Sequence, residues 1–196
     1  QNTDTEVDLD TAVTISRAGG EDVGTYTITP ANAKDANYDI NFVTADFTIT
    51  KSTLTVTATA DTKVYGGTDP GLTYVITGYQ NTDTEVDLDT AVTISRASGE
   101  NVDMYTITPS GAADTNYTIS FVSADFSITP ATLTVTADAG QNKVYGDPDP
   151  LTYPYTITGY LNGDTSEADL DYGVSIARIA GEDVDAYTIT PSGALD

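Results

Sequence analysis

Carboxylates that alternate along the chain are the first feature of this sequence that could bind a ligand. Two runs of four share a spacing of two residues: Asp4, Glu6, Asp8 and Asp10, and Asp83, Glu85, Asp87 and Asp89. If the segment is a strand, this spacing places all four carboxylates on one face. Ca²⁺ prefers six to eight oxygen ligands, although the glycine of an EF-hand loop is absent. The runs therefore predict either a solvated acidic face or a weak calcium site.

Tyrosines beside Gly- and Pro-containing turns form the second candidate site. The turns are Tyr65-Gly66 to Pro70 and Tyr145-Gly146 to Pro150, in which Gly permits a positive φ and Pro fixes its own. The rings either plug the end of a domain or offer a flat surface for a sugar. Four tyrosines are the candidates for a carbohydrate contact: Tyr65, Tyr79, Tyr145 and Tyr160.

The composition excludes several other chemistries. The chain has no Cys and no His, which rules out zinc fingers and Ser-His-Asp triads. It carries 30 Asp and Glu against 7 Lys and Arg, a net charge of −23, so we expect no nucleic-acid partner. No apolar run reaches the roughly 18 residues of a membrane span. We expect neither catalysis nor a cofactor, with calcium as the one exception. Because Lys63 and Lys143 recur at the same repeat position, a Lys–Asn isopeptide crosslink remains an open alternative.

Internal repetition defines the domain organisation. Residues 1–18 are identical to residues 80–97, and later segments recur with a period of 79 to 82 residues. A period of this length indicates small domains in tandem. The repeat predicts the C-terminal part of one unit over 1–50, a complete unit over 51–129 and the N-terminal part of a third over 130–196.

Within a unit, apolar and polar residues alternate with a period of two, as in LTVTATA (54–60). This pattern predicts five or six half-buried strands separated by Gly, Pro, Asp and Asn turns. Residues 81–89 contribute one helical turn at most. The expected fold is all-β, with compact sandwich-like domains joined end to end as a rod; the alternative is a β-grasp-like sheet in which 81–89 replaces the usual helix.

Two sequence motifs resemble a known family. KVYGGTDPGLTYVITGY (63–79) recurs as KVYGDPDPLTYPYTITGY (143–160), and NYTISFVSADFSITPATLTV (116–135) closes the unit. Together they resemble the MBG domain ("mostly beta, glycine-rich") in its YGX form. The resemblance implies a repeated extracellular domain of bacterial surface proteins and adhesins, and it brings no catalytic residues with it.

The sequence thus predicts a structural stalk or fibre repeat on a bacterial cell surface. The alternative is an adhesive module that contacts glycan, mucin or neighbouring cells, with a weak dependence on calcium. Each partial unit is expected to leave unpaired strand edges, since 1–50 lacks the first two strands of a unit and 130–196 lacks the last. We expect these edges to be completed by a continuous array or by neighbouring copies in a filament.

Overall fold

The computed structural model describes residue 5 and residues 8–194. Within them, fourteen strands occur: β1 (Thr14–Arg17), β2 (Gly24–Ala31), β3 (Ala45–Ile49), β4 (Ser52–Ala58), β5 (Asp61–Val64), β6 (Tyr74–Thr77), β7 (Thr93–Arg96), β8 (Asp103–Ser110), β9 (Tyr117–Val122), β10 (Ala124–Thr129), β11 (Thr134–Ala137), β12 (Tyr155–Thr158), β13 (Ser175–Arg178) and β14 (Ile189–Ser192). Short 3-10 turns at Glu85–Asp87 and Glu167–Asp169 interrupt them. Among these residues, no helix is both long enough and apolar enough to cross a membrane.

The chain divides into two compact units. The first comprises residues 1–59, 72–96 and 107–124. In it, β1, β2 and β3 form an antiparallel sheet, and β4 lies between β6, its antiparallel neighbour, and β9, its parallel neighbour. β7 pairs with the second half of β8 in antiparallel register, from Thr93 opposite Ser110 to Arg96 opposite Ile107.

The second unit comprises residues 60–71, 97–106 and 125–196. In it, β10 pairs with β5 in parallel register. β11 pairs with β12, and β13 pairs with β14, both antiparallel. β8 has residues in both units.

Strand β4 shows how the sequence pattern produces burial. Leu54, Val56 and Ala58 are buried, with Leu54 and Val56 fully so, whereas Thr57 between them is exposed. Side chains of a strand alternate between its two faces, so the apolar set lies on one face and the threonines on the other.

Full burial is concentrated in residues 51–129. Within the described part of the chain, Ala33 is the one buried apolar residue outside this range; the others are Leu54, Val56, Ala58, Ile107, Pro109, Tyr117, Phe126 and Ile128. The contrast is sharp at equivalent positions. Phe126 is 0% exposed, whereas Phe47 at the same position of the first repeat is 43% exposed. Apolar side chains that are buried in the middle repeat are thus partly exposed at equivalent positions of the outer repeats.

The prediction of an all-β fold is confirmed, and residues 81–89 form a single helical turn as expected. The strand count was too low, because residues 51–129 contain seven strands rather than five or six. β5 has no alternating apolar pattern to reveal it, and the long run 117–129 is divided into two strands at Ser123. Among the described residues, 1–50 contains three strands and 130–196 contains four, against the seven of 51–129.

Candidate functional site

The acidic run of the middle repeat lies in a turn and not in a strand. Glu85–Asp87 form a 3-10 turn that Thr84 precedes in extended conformation. The Asp87 carboxylate accepts hydrogen bonds from the backbone N–H of Thr84 (2.8 Å) and from its hydroxyl (2.9 Å). The carboxylate therefore serves as the cap of the turn, and the condition under which the four carboxylates would share one strand face is not met.

The other carboxylates of the run also accept hydrogen bonds from the protein. Asp83 accepts from the Tyr117 hydroxyl (2.5 Å), and Glu85 accepts from the Tyr74 hydroxyl. Asp89 accepts from the Thr115 backbone N–H (2.8 Å) and hydroxyl (2.9 Å). Because each carboxylate binds a different donor, together they hold the segment 83–89 against the strands around it. Across the described residues, no group of three or more acidic side chains could hold a metal ion; the calcium site stays a prediction.

The same roles recur in the outer repeats. Asp4 and Glu6 lie outside the described residues. Asp8 accepts from the Thr5 N–H (2.6 Å), which lowers the pKa of Asp8, and Asp10 accepts from the Ala36 N–H (2.9 Å). In the third repeat, Asp169 caps the turn and Glu167 accepts from the Tyr155 hydroxyl. The recurrence indicates that these acids are retained for hydrogen bonding within the fold.

A pair of tyrosines anchors the acidic turn of the middle repeat. The rings of Tyr79 and Tyr117 meet edge to face, with centroids 6.3 Å apart. The Tyr117 oxygen also accepts from the Gln80 N–H (2.9 Å). Its hydrogen bond to Asp83 raises the pKa of Tyr117, and burial raises the pKa of Tyr79. The Tyr79 hydroxyl is buried, and no atom of the described chain is its hydrogen-bond partner.

The four tyrosines predicted to contact carbohydrate have different environments. The Tyr145 side chain is 70% exposed. Tyr79 and Tyr160 are half-buried with buried hydroxyls. Tyr65 is half-buried and donates to Asp164 (3.2 Å). Of the four, only Tyr145 presents an open ring, and the carbohydrate contact stays a prediction.

Two clusters of ion pairs occupy equivalent places in the second and third repeats. The Lys63 ammonium is buried between Asp69 (2.7 Å) and Glu100. These two carboxylates raise the pKa of Lys63, which keeps it charged. A charged ammonium is not a nucleophile, so this environment does not favour the isopeptide crosslink. Recurrence of Lys63 in the sequence does not reveal its partners, because they lie 6 and 37 residues away.

The third-repeat cluster contains Arg178 together with Lys143 and two carboxylates. Asp149 accepts from Arg178 Nε and Nη2, both at 2.9 Å, and pairs with Lys143 at 2.9 Å. Arg178 first, and then Lys143, lower the pKa of Asp149 from 3.8 to about 2. Glu182 completes the cluster with contacts to Lys143 (2.6 Å) and Arg178 (2.9 Å).

The recurring arginines share one local geometry. Arg17 donates to the Gly20 carbonyl and to Glu21, both at 2.6 Å, and lies 5.2 Å from the centre of the Tyr26 ring. Arg178 makes the corresponding contacts with Gly181, Glu182 and Tyr187. Gly20 has φ +140, and a Cβ on it would lie 2.3 Å from the Tyr26 ring, which explains a glycine there. Arg17 and Arg178 thus each pair with a carboxylate four residues later in the chain.

Comparison with known families decides the identity of these repeats. The profile of the MBG domain (YGX type) matches residues 1–48, 54–127 and 133–196. The chain belongs to the MBG family. Neither the curated proteins nor the solved structures contain a match to it. Domains of the MBG family are repeats of surface proteins and are typically non-catalytic. The exact repeat boundaries 1–50, 51–129 and 130–196 stay a prediction.

Substituting Tyr117 with Phe tests the anchor of the acidic turn. It removes the hydrogen bond to Asp83 and leaves Gln80 N–H unsatisfied, so we expect a loss of about 1–2 kcal/mol in the free energy of unfolding of the MBG repeat. Tyr79→Phe is the matched control, because it removes a buried hydroxyl without a partner and should leave stability unchanged or raise it. Chemical denaturation followed by tyrosine fluorescence measures both. Equal losses of unfolding free energy in the two variants would contradict the role of the Tyr117 hydroxyl as the anchor of the turn.

The pH dependence of stability tests the cluster around Asp149. The pKa of Asp149 is depressed in the folded state. The contribution of Asp149 to folding stability is therefore complete above pH 3.8, its ordinary pKa, and is lost as the pH falls through about 2. Asp149→Asn should lower the melting temperature at pH 7, and the difference from the parent protein should disappear near pH 2. Asp147→Asn is the control, since Asp147 lies outside the cluster. A difference that persists unchanged at pH 2 would contradict the account.

Proposed function

We propose that the chain is a stalk or fibre segment of a large bacterial extracellular surface protein and that it acts without catalysis. The proposal is supported by three MBG matches in tandem. A stalk works by resisting bending, so the junctions between consecutive repeats are where such a function must be built. The observation that carries the proposal is the set of side-chain hydrogen bonds at these junctions.

The first junction is bridged by Asn116. Its side-chain oxygen accepts from the Val23 backbone N–H (2.8 Å), and its side-chain nitrogen donates to Asp22 (3.1 Å). One residue of the middle repeat thus binds a turn of the first repeat at two atoms. Two such bonds restrict rotation of the turn against Asn116 more than one bond would.

The connector of this junction is also tied down. β3 ends at Ile49 and β4 begins at Ser52, so two residues separate the strands of successive repeats. The Lys51 ammonium donates to the carbonyls of Asp114 (3.0 Å) and Tyr117 (3.3 Å). A connector this short, with its one long side chain bonded, leaves little hinge freedom.

The second junction uses different residues. The Tyr65 hydroxyl donates to Asp164 and accepts from Asn162 (3.3 Å), so a turn of the middle repeat binds a loop of the third. Gly66 has φ +74, and a Cβ on it would lie 2.7 Å from the Leu161 Cβ. The glycine of the Tyr-Gly motif therefore allows a close approach between consecutive repeats, which gives this family signature a role at the junction.

Substituting Asn116 tests the stalk. In Asn116→Ala the first junction loses both bonds, so the distance distribution between spin labels on the exposed Thr25 and Thr118 should broaden while the circular dichroism spectrum stays unchanged. Asn37→Ala changes the equivalent residue of the first repeat and should leave the distribution narrow. Electron–electron double resonance measures the distance distribution in the parent protein and in both variants. A distribution that is already broad in the parent protein would contradict a stiff stalk.

An adhesive module is the second candidate, and the exposed ring of Tyr145 favours it. Exposed aromatic rings bind sugars by stacking on their apolar faces. Binding of the chain to a glycan array, in calcium or in EDTA, with loss of that binding in Tyr145→Ala, would support adhesion. If the chain binds no glycan on the array, the stalk remains the proposed function.

A further inference from the structure

Three of the eight prolines in the chain directly follow an aspartate, at Asp69–Pro70, Asp147–Pro148 and Asp149–Pro150. A peptide bond to proline is a tertiary amide, since the proline nitrogen carries no hydrogen. Its nitrogen is more basic than that of an ordinary peptide bond and leaves more readily once it takes up a proton. The carboxyl of the preceding aspartate lies next to the carbonyl carbon of the same bond. An Asp–Pro bond is therefore a place where a side chain can cleave the backbone without an enzyme.

Two of the three aspartates are held by cations. Asp149 accepts from Arg178 at both carboxylate oxygens (2.9 Å each) and pairs with Lys143 (2.9 Å). Asp69, at the same position of the middle repeat, pairs with the buried Lys63 (2.7 Å). An ion pair stabilises the ionised form of a carboxyl. It also directs the carboxylate oxygens to the cation and not to the carbonyl carbon of the aspartate itself.

The carboxylate of Asp147 has no such partner. The Asp147 backbone N–H donates to the Val144 carbonyl (3.1 Å) and closes a β-turn in which Gly146 has φ +86. The turn fixes the backbone of Asp147. Its side chain is exposed, and within the described part of the chain the carboxylate accepts no hydrogen bond and forms no ion pair. This carboxylate is free to rotate onto its own carbonyl carbon.

The charged groups around this turn bind one another and leave Asp147 out. Lys143 and Arg178 both pair with Asp149 and with Glu182. The next charged residues after Glu182 are Asp183 and Asp185, which are acids. Among the described residues of this loop and of the segment 178–185, no cation therefore keeps the Asp147 carboxyl ionised.

The exposure of Asp147 belongs to the turn itself. In the middle repeat, the Gly67 N–H donates to the Val64 carbonyl (2.9 Å) and closes the same turn. Gly67 and Thr68 are exposed there as well. Asp147 and Pro148 thus replace Gly67 and Thr68 on the outside of a turn that both repeats share.

We propose that the chain cleaves itself at the Asp147–Pro148 bond in acid, and that the ion pairs of Asp69 and Asp149 protect the other two Asp–Pro bonds. The protonated Asp147 carboxyl adds an oxygen to its own backbone carbonyl carbon. The carbon–nitrogen bond to Pro148 breaks as the carboxyl proton passes to the proline nitrogen. The products are a cyclic anhydride on Asp147 and a secondary amine on Pro148. Water then opens the anhydride to two carboxyls, which leaves Asp147 as a new C-terminus.

The cut falls between two paired strands of the third repeat. β11 precedes it and β12 follows it, and the two pair in antiparallel register at four positions. The ion pair between Lys143 and Asp149 also joins the two sides of the cut. Cleavage therefore replaces a covalent link by strand pairing and an ion pair, both of which a denaturant disrupts. This inference does not depend on the stalk proposed above.

Mass spectrometry of the acid-treated chain tests the cleavage. The chain is incubated at about pH 3, or at the lowest higher pH at which its circular dichroism spectrum is native, and its fragments are separated in denaturant. Residues 1–147 and 148–196 should form about tenfold faster than fragments cut after Asp149. The pKa of Asp149 is about 2, and one pH unit above its pKa a carboxyl keeps its proton in about a tenth of the molecules.

The same incubation in concentrated guanidinium chloride is the calibration, and it lasts until the denatured chain is cut at all three Asp–Pro bonds. Denaturation breaks the ion pairs, so the three bonds should then be cut at similar rates. A folded chain that is cut equally at the three bonds would overturn the proposal. A folded chain that remains intact over the time in which the denatured chain is cut would overturn it as well.

Two variants test the roles of the side chains. Asp147→Gly introduces the residue that the middle repeat has at this position, and the bond before Pro148 should remain intact. Arg178→Gln removes the bonds from Arg178 to Asp149, so cleavage after Asp149 should increase while the bond after Asp69 stays protected. Cleavage before Pro148 that persists in Asp147→Gly would contradict the proposed nucleophile. Unchanged protection after Asp149 in Arg178→Gln would contradict the role of the ion pair.

Discussion

The parallel pairing of β9 with β4 is the interaction on which the repeat depends. β4 lies at the start of the unit and β9 near its end, so a segment 65 residues later in the chain covers the edge of the first strand. Where both strands are present, Leu54 and Val56 are fully buried; β11 has no such neighbour among the described residues, and there Leu133 and Val135 are half-exposed. Non-local pairing of this kind joins the two ends of the unit.

The charge of the chain follows from how this fold satisfies its turns. Carboxylates cap the 3-10 turns, accept from tyrosine hydroxyls and bind backbone N–H groups, as Asp87, Asp83 and Asp10 do. Each of these acids thus contributes to the fold while adding one negative charge. We propose that this charge keeps an array of such repeats soluble and makes its lateral association depend on salt.

Much of the fold could be predicted from the sequence, because period-two alternation and exact repetition are local signals. Leu54, Val56 and the turn at 81–89 were found in this way. β5 was not, since it lacks alternation and exists because β10 pairs with it. The strand face on which the four carboxylates of 83–89 would align does not form, because Asp83 and Asp89 are directed by partners 34 and 26 residues away, Tyr117 and Thr115. The ion pairs of Lys63 and Asp149 likewise depend on contacts that spacing alone does not reveal.

Amide hydrogen exchange measures the central claim most directly. If β9 closes the repeat, the backbone amides of β4 (52–58) should exchange slowly along both of its edges. In dilute monomer, the amides of β11 that face away from β12 should exchange faster by orders of magnitude. In a variant extended after Asp196 by a copy of residues 115–129, the β11 amides should become as slow as those of β4. Equal protection of β4 and β11 in the monomeric parent protein would contradict the account.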